Sequence, residues 1–270
     1  PEAARRHCDI LVRGEIEEIA PQFFADLRSG QWKDEYVGTR PDLSLSPIPR
    51  WDLYPNDRTL AGAVQVSRGC PFECEFCDVP AYVGRKQRHK QPSQVLAELD
   101  VLYALGHRSI FIADDNFTVY RRHAKETLAA IRWWCERQKA GNVTFSTQVS
   151  LDAARDDELL RMCGEAGIGT VFIGIETPNQ ASLKETRKRQ NVVADMAETI
   201  GRFLDHGIMV IGGMIVGFDA DGPDIFDMQR DFIAAARVPV FSLGALIAPE
   251  QTPLIARLRG ENRLLKDAQQ

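Results

Sequence analysis

The feature of this sequence that most restricts its fold is the alternation of apolar, strand-like segments with segments of helical periodicity from residue 61 onward. Such an order is typical of parallel βα units, in which each helix packs back against the sheet. The strand-like segments are 61–66, 109–113, 143–147, 170–175, 208–216 and 240–247. Six units within about 200 residues are too few for an eight-fold barrel, which takes about 250 residues. The sequence therefore predicts an α/β fold with an incomplete, open (β/α)6 barrel.

The composition is that of an ordinary globular protein, with 44% apolar and 26% charged residues among 270. The longest uncharged, largely apolar stretch, 207–218, has 12 residues, so we expect no transmembrane segment. A net charge of −5 gives no reason to expect a nucleic-acid partner. Six cysteines in one chain favour a reducing compartment, and we predict a cytoplasmic location.

Three cysteines, Cys70, Cys74 and Cys77, lie within eight residues in a polar loop after the first predicted strand. Thiolate is the ligand that iron–sulfur clusters prefer, and three thiolates can bind one inorganic centre. Because three ligands are one fewer than a closed cluster site needs, one iron would be left free to bind a substrate or cofactor. The motif therefore predicts a reactive iron–sulfur centre rather than simple electron storage.

Other interpretations of the three cysteines stay open on the residues alone. A structural zinc site would need a fourth ligand, and His89 could supply it, although it lies in a basic run that would oppose a cation. Burial as free thiols is a further alternative, although Gly69 and Pro71 mark an irregular polar loop. A disulfide would leave one of the three thiols unpaired.

The spacing Cys-x3-Cys-x-aromatic-Cys, with Phe76 at the aromatic position, resembles the signature of radical S-adenosylmethionine (SAM) enzymes. The resemblance implies a [4Fe–4S] cluster bound by the three cysteines, with SAM chelating the fourth iron through its amino and carboxylate groups. It implies that an electron from the cluster cleaves SAM to methionine and a 5′-deoxyadenosyl radical, which takes hydrogen from the substrate. A low-potential electron donor such as flavodoxin or ferredoxin would supply that electron. The family fold is the same incomplete barrel.

Polar or glycine-rich residues follow or end the other predicted strands, where parallel barrels gather their functional groups. They are Asp114, Asp115 and Asn116 after the second strand, Gln148 after the third, Glu176 after the fourth, Gly213, Ile215 and Gly217 on the fifth, and Ala248 after the sixth. The resemblance implies that these residues and Phe76 contact SAM. Asp114 to Asn116 would face the methionine amino group, Gln148 the carboxylate, Glu176 the ribose, and Gly213 to Gly217 and Phe76 the adenine.

Each of these assignments has a structural alternative. The family usually carries a Gly-Gly-Glu-like element where this chain has Asp114, Asp115 and Asn116, and such residues also cap helices or form turns. Glu176 could be a surface carboxylate, and Gln148 an exposed strand end. Glycines on the fifth strand also mark β-bulges.

The basic run 85–90 is the densest cluster of charge in the chain. A solvated surface is the usual structure of such a run. The alternative is a docking surface near the cysteine loop, to which an acidic electron donor would be steered.

Both ends of the chain suggest further regions. Residues 1–50 contain a predicted strand at 10–12, a helix to residue 30 and a proline-rich linker, and resemble the remnant of a Rossmann-like, cobalamin-binding domain. An unrelated helical lead-in is the alternative. Residues 51–256 would form the radical SAM core, and residues 257–270 would begin a truncated C-terminal region. Because the chain begins with Pro1 rather than Met, we expect it to be a fragment or a processed product.

Four further stretches, 174–178, 190–191, 217–221 and 249–254, resemble the B12-binding-type branch of radical SAM proteins, which includes hopanoid C-methylases. This resemblance implies a cobalamin-dependent C-methyltransferase that acts on a lipid-like or other small, unactivated substrate, with cobalamin bound by a domain missing from this chain. The alternatives are a radical SAM oxidoreductase or cyclase without methyl transfer, and a non-enzymatic iron–sulfur or zinc module.

Overall fold

The computed structural model describes residues 2–264, and its first part is a small βαβ unit. A short helix, α1 (Glu2–Arg5), precedes strand β1 (Leu11–Arg13), which pairs in parallel with β2 (Glu35–Val37). Helix α2 (Ala20–Ser29) joins these two strands. The unit agrees with the strand and helix expected before residue 30, whereas its origin in a cobalamin-binding domain stays a prediction. Residues 265–270 of the predicted C-terminal region lie outside the described residues.

The core follows three short 3-10 segments and alternates strands with helices. In chain order its elements are β3 (Gly62–Val64), β4 (Ser67–Arg68), α3 (Val79–Tyr82), β5 (Arg88–His89), α4 (Pro92–Ala104), β6 (Ser109–Ile112), α5 (Arg121–Gln138), β7 (Thr144–Val149), α6 (Asp157–Glu165), β8 (Ile168–Glu176), α7 (Gln180–Glu185), α8 (Met196–Asp205), β9 (Met209–Val216), α9 (Ile225–Ala236), β10 (Val240–Ala245) and α10 (Pro253–Gly260).

One six-stranded parallel sheet, in the order β3-β6-β7-β8-β9-β10, forms the centre of the core. Within residues 2–264, β3 and β10 are its two edges and do not pair with each other, so the barrel is open. β4 and β5 form a separate antiparallel hairpin around the cysteine loop. The predicted incomplete, open (β/α)6 barrel is confirmed.

Local signals in the sequence explain where the helices begin. Gln91 and Gln94 form a reciprocal capping box at the start of α4, and Pro92 occupies the first turn. Asp156 and Asp195 cap α6 and α8 by accepting bonds from backbone N–H groups within the first turn. The apolar faces of these helices cover the outer side of the sheet, and alternate residues of β6 to β8, such as Ile110, Phe145 and Ile173, belong to the same buried core.

Three strand ends differ from the prediction in ways that affect the site. β3 ends at Val64 because the N–H groups of Val66 and Ser67 bind the Asp114 carboxylate, at 2.7 and 2.9 Å, instead of a neighbouring strand. β7 and β8 extend beyond their predicted ends. Gln148 and Glu176 therefore lie at the ends of these strands rather than after them. No helix among the described residues has the length and apolar character needed to cross a membrane.

Candidate active site

A cavity of about 210 Å³ lies at the carboxyl ends of the central strands. Nine residues singled out in the sequence line it, namely Cys70, Cys74, Cys77, Phe76, Asp115, Asn116, Gln148, Glu176 and Gly213. The other lining residues are Phe72, Val79, Pro80, Val149, Ser150, Phe172, Gly174, Lys188 and Gln190. Parallel strands thus bring residues that are more than 140 positions apart into one cavity, as expected at this edge of a barrel.

The cysteine loop, residues 69–77, is folded tightly against the β4–β5 hairpin. Gly69 has φ 104°, and a Cβ at this position would lie 2.7 Å from the Lys86 carbonyl oxygen, so the position requires glycine. The Cys70 N–H donates to the Gly84 carbonyl at 3.2 Å, and the Cys77 N–H donates to the Cys74 carbonyl at 3.1 Å. These bonds direct all three thiols toward the same cavity.

The arrangement of the cysteines bears on the choice between zinc and a cluster. Among the described residues, no three His, Cys, Asp or Glu side chains converge on a point that one metal ion could occupy. A mononuclear zinc site requires such convergence, whereas a cluster takes each thiolate on a different iron. His89, the candidate fourth zinc ligand, does not line the cavity and stacks on His123 with ring centroids 4.1 Å apart. The donor set therefore fits an iron–sulfur cluster better than zinc.

The electrostatic state of the thiols follows from their burial. Burial, and to a smaller degree the neighbouring Cys74 and Cys77, raises the pKa of Cys70 to about 11. Burial also raises the pKa of Cys77. Since only the thiolate binds iron, loading of a cluster would release protons from these groups.

The three polar residues after β6 have three different positions. Asp114 is buried outside the cavity, where it binds the backbone before the cysteine loop and accepts from the Ser67 hydroxyl at 2.6 Å. Burial raises its pKa to about 6. Asp115 lines the cavity and accepts from the Gly69 N–H at 3.1 Å. Asn116 donates to the Ser150 hydroxyl at 2.9 Å, and its buried Oδ1 has no partner. The triplet therefore holds the cysteine loop and offers one free acceptor to a ligand.

Glu176 occupies a strained position at the end of β8. A bulge between Gly174 and Glu176 shifts the pairing with β9, and Glu176 has φ 66°, which is rare for any residue except glycine. The ammonium group of Lys188 donates to its carboxylate, and the two side chains are 12% and 8% exposed. Strain of this kind is most often kept where a side chain must have one particular direction.

Lys188 was missed by reasoning from strand ends because it follows α7 and belongs to no strand. Its burial by itself lowers its pKa, but Glu176 and the nearby Cys74 outweigh that effect, and the pKa lies above its ordinary value. Lys188 therefore provides a buried positive charge in the cavity, and its Nζ lies 5.8 Å from the ring centroid of Phe76. A Cβ at Gly174 would lie 2.9 Å from this Nζ, so glycine is needed there to admit the lysine.

Two amides contact the site from opposite sides. The Gln148 Nε2 donates to the Asp115 carbonyl at 3.1 Å, which leaves its side-chain oxygen available to the cavity. The Gln190 Nε2 donates to the Cys74 sulfur at 3.3 Å, and its buried Oε1 has no partner. Hydrogen bonds to cysteine sulfur are one of the means by which proteins tune iron–sulfur clusters. The sequence alone predicts no role for Gln190, which lies in the stretch 190–191 that resembles the B12-binding-type branch.

Four predicted contact residues, Asp114, Ile215, Gly217 and Ala248, do not line the cavity. The carbonyl of Ile215 accepts from Gln229 at 2.7 Å. Gly217 has φ 102°, and its N–H donates to Asp221 at 2.9 Å, so this glycine serves the turn after β9. Their contacts with a cofactor stay predictions. Gly213 does line the cavity, and a Cβ there would lie 2.8 Å from the Phe172 ring.

The basic run 85–90 differs from the expected solvated surface. Arg88 lies in β5 and donates to Glu15 at 2.7 Å, and the Lys90 ammonium pairs with Glu98 in the interior. Both residues are shielded from solvent because part of the run forms strand β5 of the β4–β5 hairpin. Of its charged residues, Arg85 and Lys86 are exposed.

Comparison with known proteins adds family information to this geometry. The sequence model of a family described as the Radical SAM superfamily matches residues 64–230. An uncharacterized methyltransferase of Synechocystis sp. is 38% identical over 262 residues, which are 96% of this chain and 49% of that protein. Hopanoid C-2 methylase of Rhodopseudomonas palustris is 34% identical over 265 residues, which are 96% of this chain and 50% of the methylase. The chain thus spans about half the length of these curated relatives.

Among solved structures, the cobalamin-dependent S-adenosylmethionine radical enzyme OxsB with aqua-cobalamin bound is similar to this chain, with a TM-score of 0.73 and 17% identity. The match covers 98% of this chain and 47% of the OxsB chain. At this level of identity the likeness shows the fold alone.

Proposed function

This chain belongs to the radical SAM superfamily, and from that premise we propose that it forms the core of an enzyme that cleaves SAM and uses the resulting 5′-deoxyadenosyl radical. The family uses a [4Fe–4S] cluster together with SAM. The observation that carries the proposal is the single cavity on which Cys70, Cys74 and Cys77 open together with polar groups from β6, β7 and β8. When bound, the cluster supplies the electron that cleaves SAM.

The residues of the cavity have distinct roles in this proposal. Cys70, Cys74 and Cys77 hold the cluster. Lys188 supplies a positive charge close to the cluster thiolates, and Glu176 accepts hydrogen bonds from hydroxyl groups of the nucleoside. Phe76 and Phe172 form the apolar wall that separates the reacting carbon from water. Asp115, Asn116 and Gln148 contact the methionine end, where one buried acceptor of Asn116 has no partner among residues 2–264.

The test of this proposal is anaerobic reconstitution of the chain with iron and sulfide. With SAM and dithionite, the reconstituted protein is expected to release 5′-deoxyadenosine, which is quantified by chromatography. Its ultraviolet–visible spectrum is expected to show the broad absorbance of a cluster that bleaches on reduction. A chain that binds zinc through protein atoms alone, and forms no 5′-deoxyadenosine, would contradict the proposal.

We further propose methyl transfer as the reaction class, with a lipid-like or other small molecule methylated at an unactivated carbon. The proposal is supported by methyltransferase-named relatives at 38% and 34% identity. SAM carrying a labelled methyl group, supplied with cobalamin, decides between this activity and an oxidoreductase or cyclase. Label in the product supports methyl transfer, whereas 5′-deoxyadenosine without label transfer supports the alternative.

We propose that residues 1–50 are the end of a cobalamin-binding domain, residues 51–256 the radical SAM core and residues 257–270 the start of a further region. Ion pairs join the first two parts. Glu15 binds Arg68 and Arg88, with Nη1 atoms at 2.6 and 2.7 Å, and Arg68 comes two residues before Cys70. Because this junction adjoins the cysteine loop, a cofactor held by the N-terminal part would face the cavity.

We propose that an acidic, low-potential donor such as flavodoxin or ferredoxin docks beside Arg85, Lys86 and Arg187. These three side chains are exposed. A second cavity, of about 290 Å³, is lined by Arg85 and Arg187 together with Cys74 and Cys77. Reversal of these three charges is expected to slow reduction by flavodoxin while reduction by dithionite is unchanged, and equal effects on both would contradict the docking site. All six cysteines are free thiols, which supports a reducing compartment such as the cytoplasm.

A further inference from the structure

The middle of the cysteine loop is bound by the last helix of the described chain. Glu75 lies between Cys74 and Cys77, and its carboxylate receives two bonds from the Arg257 guanidinium of α10. The Nε–Oε1 distance is 2.6 Å and the Nη2–Oε2 distance is 3.2 Å. This is the bidentate geometry in which an arginine fixes both the position and the orientation of a carboxylate. The Glu75 side chain is 9% exposed.

Backbone bonds hold the same point of the loop from two sides. The Glu75 N–H donates to the Thr186 carbonyl at 2.9 Å, and the Leu254 N–H donates to the Glu75 carbonyl at 3.0 Å. The start of α10 is itself fixed, because Thr252 caps it and Leu254 is buried. Both the main chain and the side chain of Glu75 are therefore attached to α10.

The Arg257 guanidinium is held by more than Glu75. Its Nη1 lies 2.8 Å from Asp219, which follows β9, and Arg263 also binds Asp219. The hydrogen bonds that Arg257 donates to Glu75 and Asp219 raise the pKa of Arg257, and those that Asp219 accepts from Arg263 and Arg257 lower the pKa of Asp219. A guanidinium fixed between two carboxylates has little freedom to leave Glu75, so the attachment is rigid.

A cluster next to Glu75 makes this ion pair important for charge as well as for position. Three thiolates place negative charge beside a carboxylate that is almost buried. Without Arg257, that carboxylate would be an unpaired negative charge next to the cysteine ligands. Removing one member of a buried pair also leaves its partner poorly solvated, which destabilises the local structure.

We propose that Arg257 is a positioning residue for the cluster, acting through Glu75 to hold the 74–77 segment in ligating geometry. The helix after the last strand would then be required for cluster retention although it contributes no ligand. This inference rests on the proposed function, since it takes the three cysteines as cluster ligands.

The main test compares Arg257→Gln with a matched control, Arg259→Gln, on the same helix. Arg259 is exposed and pairs with Glu250, away from the loop. Both full chains are reconstituted anaerobically, and iron and sulfide per chain and the rate of iron removal by a chelator are measured. Arg257→Gln is expected to lose iron about 10- to 100-fold faster than wild type, as is typical when a residue supporting a metal ligand is lost. Arg259→Gln is expected to match wild type, and Arg257→Lys to restore part of the retention.

A double variant separates a specific charge pair from general damage to the fold. If Arg257 acts through Glu75, adding Arg257→Gln to Glu75→Gln is expected to cause no further loss of iron, so that the double variant retains its cluster as well as Glu75→Gln alone. Equal iron retention in wild type and Arg257→Gln would overturn the inference. A double variant that retains less iron than Glu75→Gln alone would assign the role of Arg257 to its other contacts and would equally overturn it.

The apo chain gives a readout that is independent of the proposed function. Cys74 is buried, and its loop is held by Arg257 through Glu75. Arg257→Gln is therefore expected to raise the alkylation rate of Cys74 several-fold, measured by peptide mass spectrometry. Cys163, buried between other elements, serves as the internal control and is expected to react at an unchanged rate. A wild-type chain without cluster or 5′-deoxyadenosine would contradict the proposed function alone. An unchanged rate of Cys74 alkylation would contradict the positioning role of Arg257 alone.

Discussion

The two edges of the barrel sheet differ in how completely they are covered. At the β3 edge, Val64 is 1% exposed, and the side chains of Leu102 and His107 lie against Gly62. At the β10 edge, all six residues from Val240 to Ala245 are exposed, including Phe241 and Leu243. The comparison teaches that the part of the barrel with the cysteines is stabilised from many directions by the described chain, whereas the opposite edge contributes pairing but little burial.

The largest expected effect tests whether the chemistry belongs to the β3 side. Cys74→Ala is expected to abolish the absorbance of a reconstituted cluster, because two thiolates cannot replace three. Cys70→Ala and Cys77→Ala are expected to do the same. Cys135→Ala on α5 is the control, and it is expected to keep full absorbance. Normal iron and sulfide content in any of the three loop variants would contradict the assignment of that cysteine as a cluster ligand.

The next effect concerns the buried charge at the centre of the sheet. Lys188→Met leaves Glu176 without its partner, and breaking a buried ion pair in this way costs roughly 3–5 kcal/mol before relaxation. We expect weaker SAM binding, by about tenfold or more in Kd, together with a lower melting temperature. Lys184→Met, on the exposed side of α7, is the matched control. If calorimetry gave the same SAM affinity for both variants, Lys188 would have no part in binding.

A pair of equivalent substitutions compares the two edges directly. Val64→Ala removes buried methyl groups and is expected to lower the free energy of unfolding by roughly 1.5–3 kcal/mol. Val240 is 48% exposed, so Val240→Ala is expected to cost less than about 0.5 kcal/mol. Urea denaturation of the two variants measures both values. Equal losses would show that the β10 edge is covered as well as the β3 edge in solution.

The smallest effect is a pH dependence that arises on the β3 side. Burial, and to a smaller degree the neighbouring His123, lowers the pKa of His89 from 6.5 to about 4. The unfolded chain therefore binds more protons at this histidine between pH 6.5 and 4, and the contribution of His89 to the free energy of unfolding falls as the pH drops through this window. Asp114, whose pKa is raised to about 6, contributes with the opposite sign, so the effect of His89, about 1–2 kcal/mol, is measured as the difference between wild type and His89→Gln in urea denaturation at several pH values.

A variant assigns this pH dependence to its source. In His89→Gln the loss between pH 6.5 and 4 is expected to be smaller than in wild type, since the titrating group is gone. His7→Gln, at an exposed position of the N-terminal unit, is expected to leave the dependence unchanged. An unaltered pH profile in His89→Gln would assign the dependence to other groups.

Much of the fold could be predicted because its signals are local. The predicted strand segments 170–175 and 208–216 overlap β8 and β9, and capping residues such as Asp156 and Asp195 fix the first turns of α6 and α8. The cysteine motif is equally local, since its ligands lie within eight residues. The polar residues at the strand ends could also be predicted as part of the site, because parallel strands bring their carboxyl ends to one edge of the sheet.

The remainder of the site depends on contacts between distant parts of the chain. Lys188 reaches the cavity from the segment after α7, and Arg257 reaches Glu75 across 182 positions, so no spacing in the sequence could indicate either. Asp114 has the residue type of a ligand-binding group, but its bonds to Val66 and Ser67 turn it into a support for the loop. Gly217 likewise forms part of the turn after β9. The glycines on the fifth predicted strand are compatible with such a turn as well as with a cofactor contact, so the pattern alone could not distinguish the two.

The attachment of Glu75 to α10 has a consequence for the order in which the protein matures. Leu254 and Arg257 are synthesised long after the cysteines, and both bind the residue next to Cys74. While the ribosome is still producing the strands, the thiols therefore stand in a segment that lacks its final support. If the three cysteines bind a cluster as we propose, stable loading of iron and sulfide therefore requires that the barrel be completed first. Iron and sulfide delivered to a nascent chain would not be stably bound.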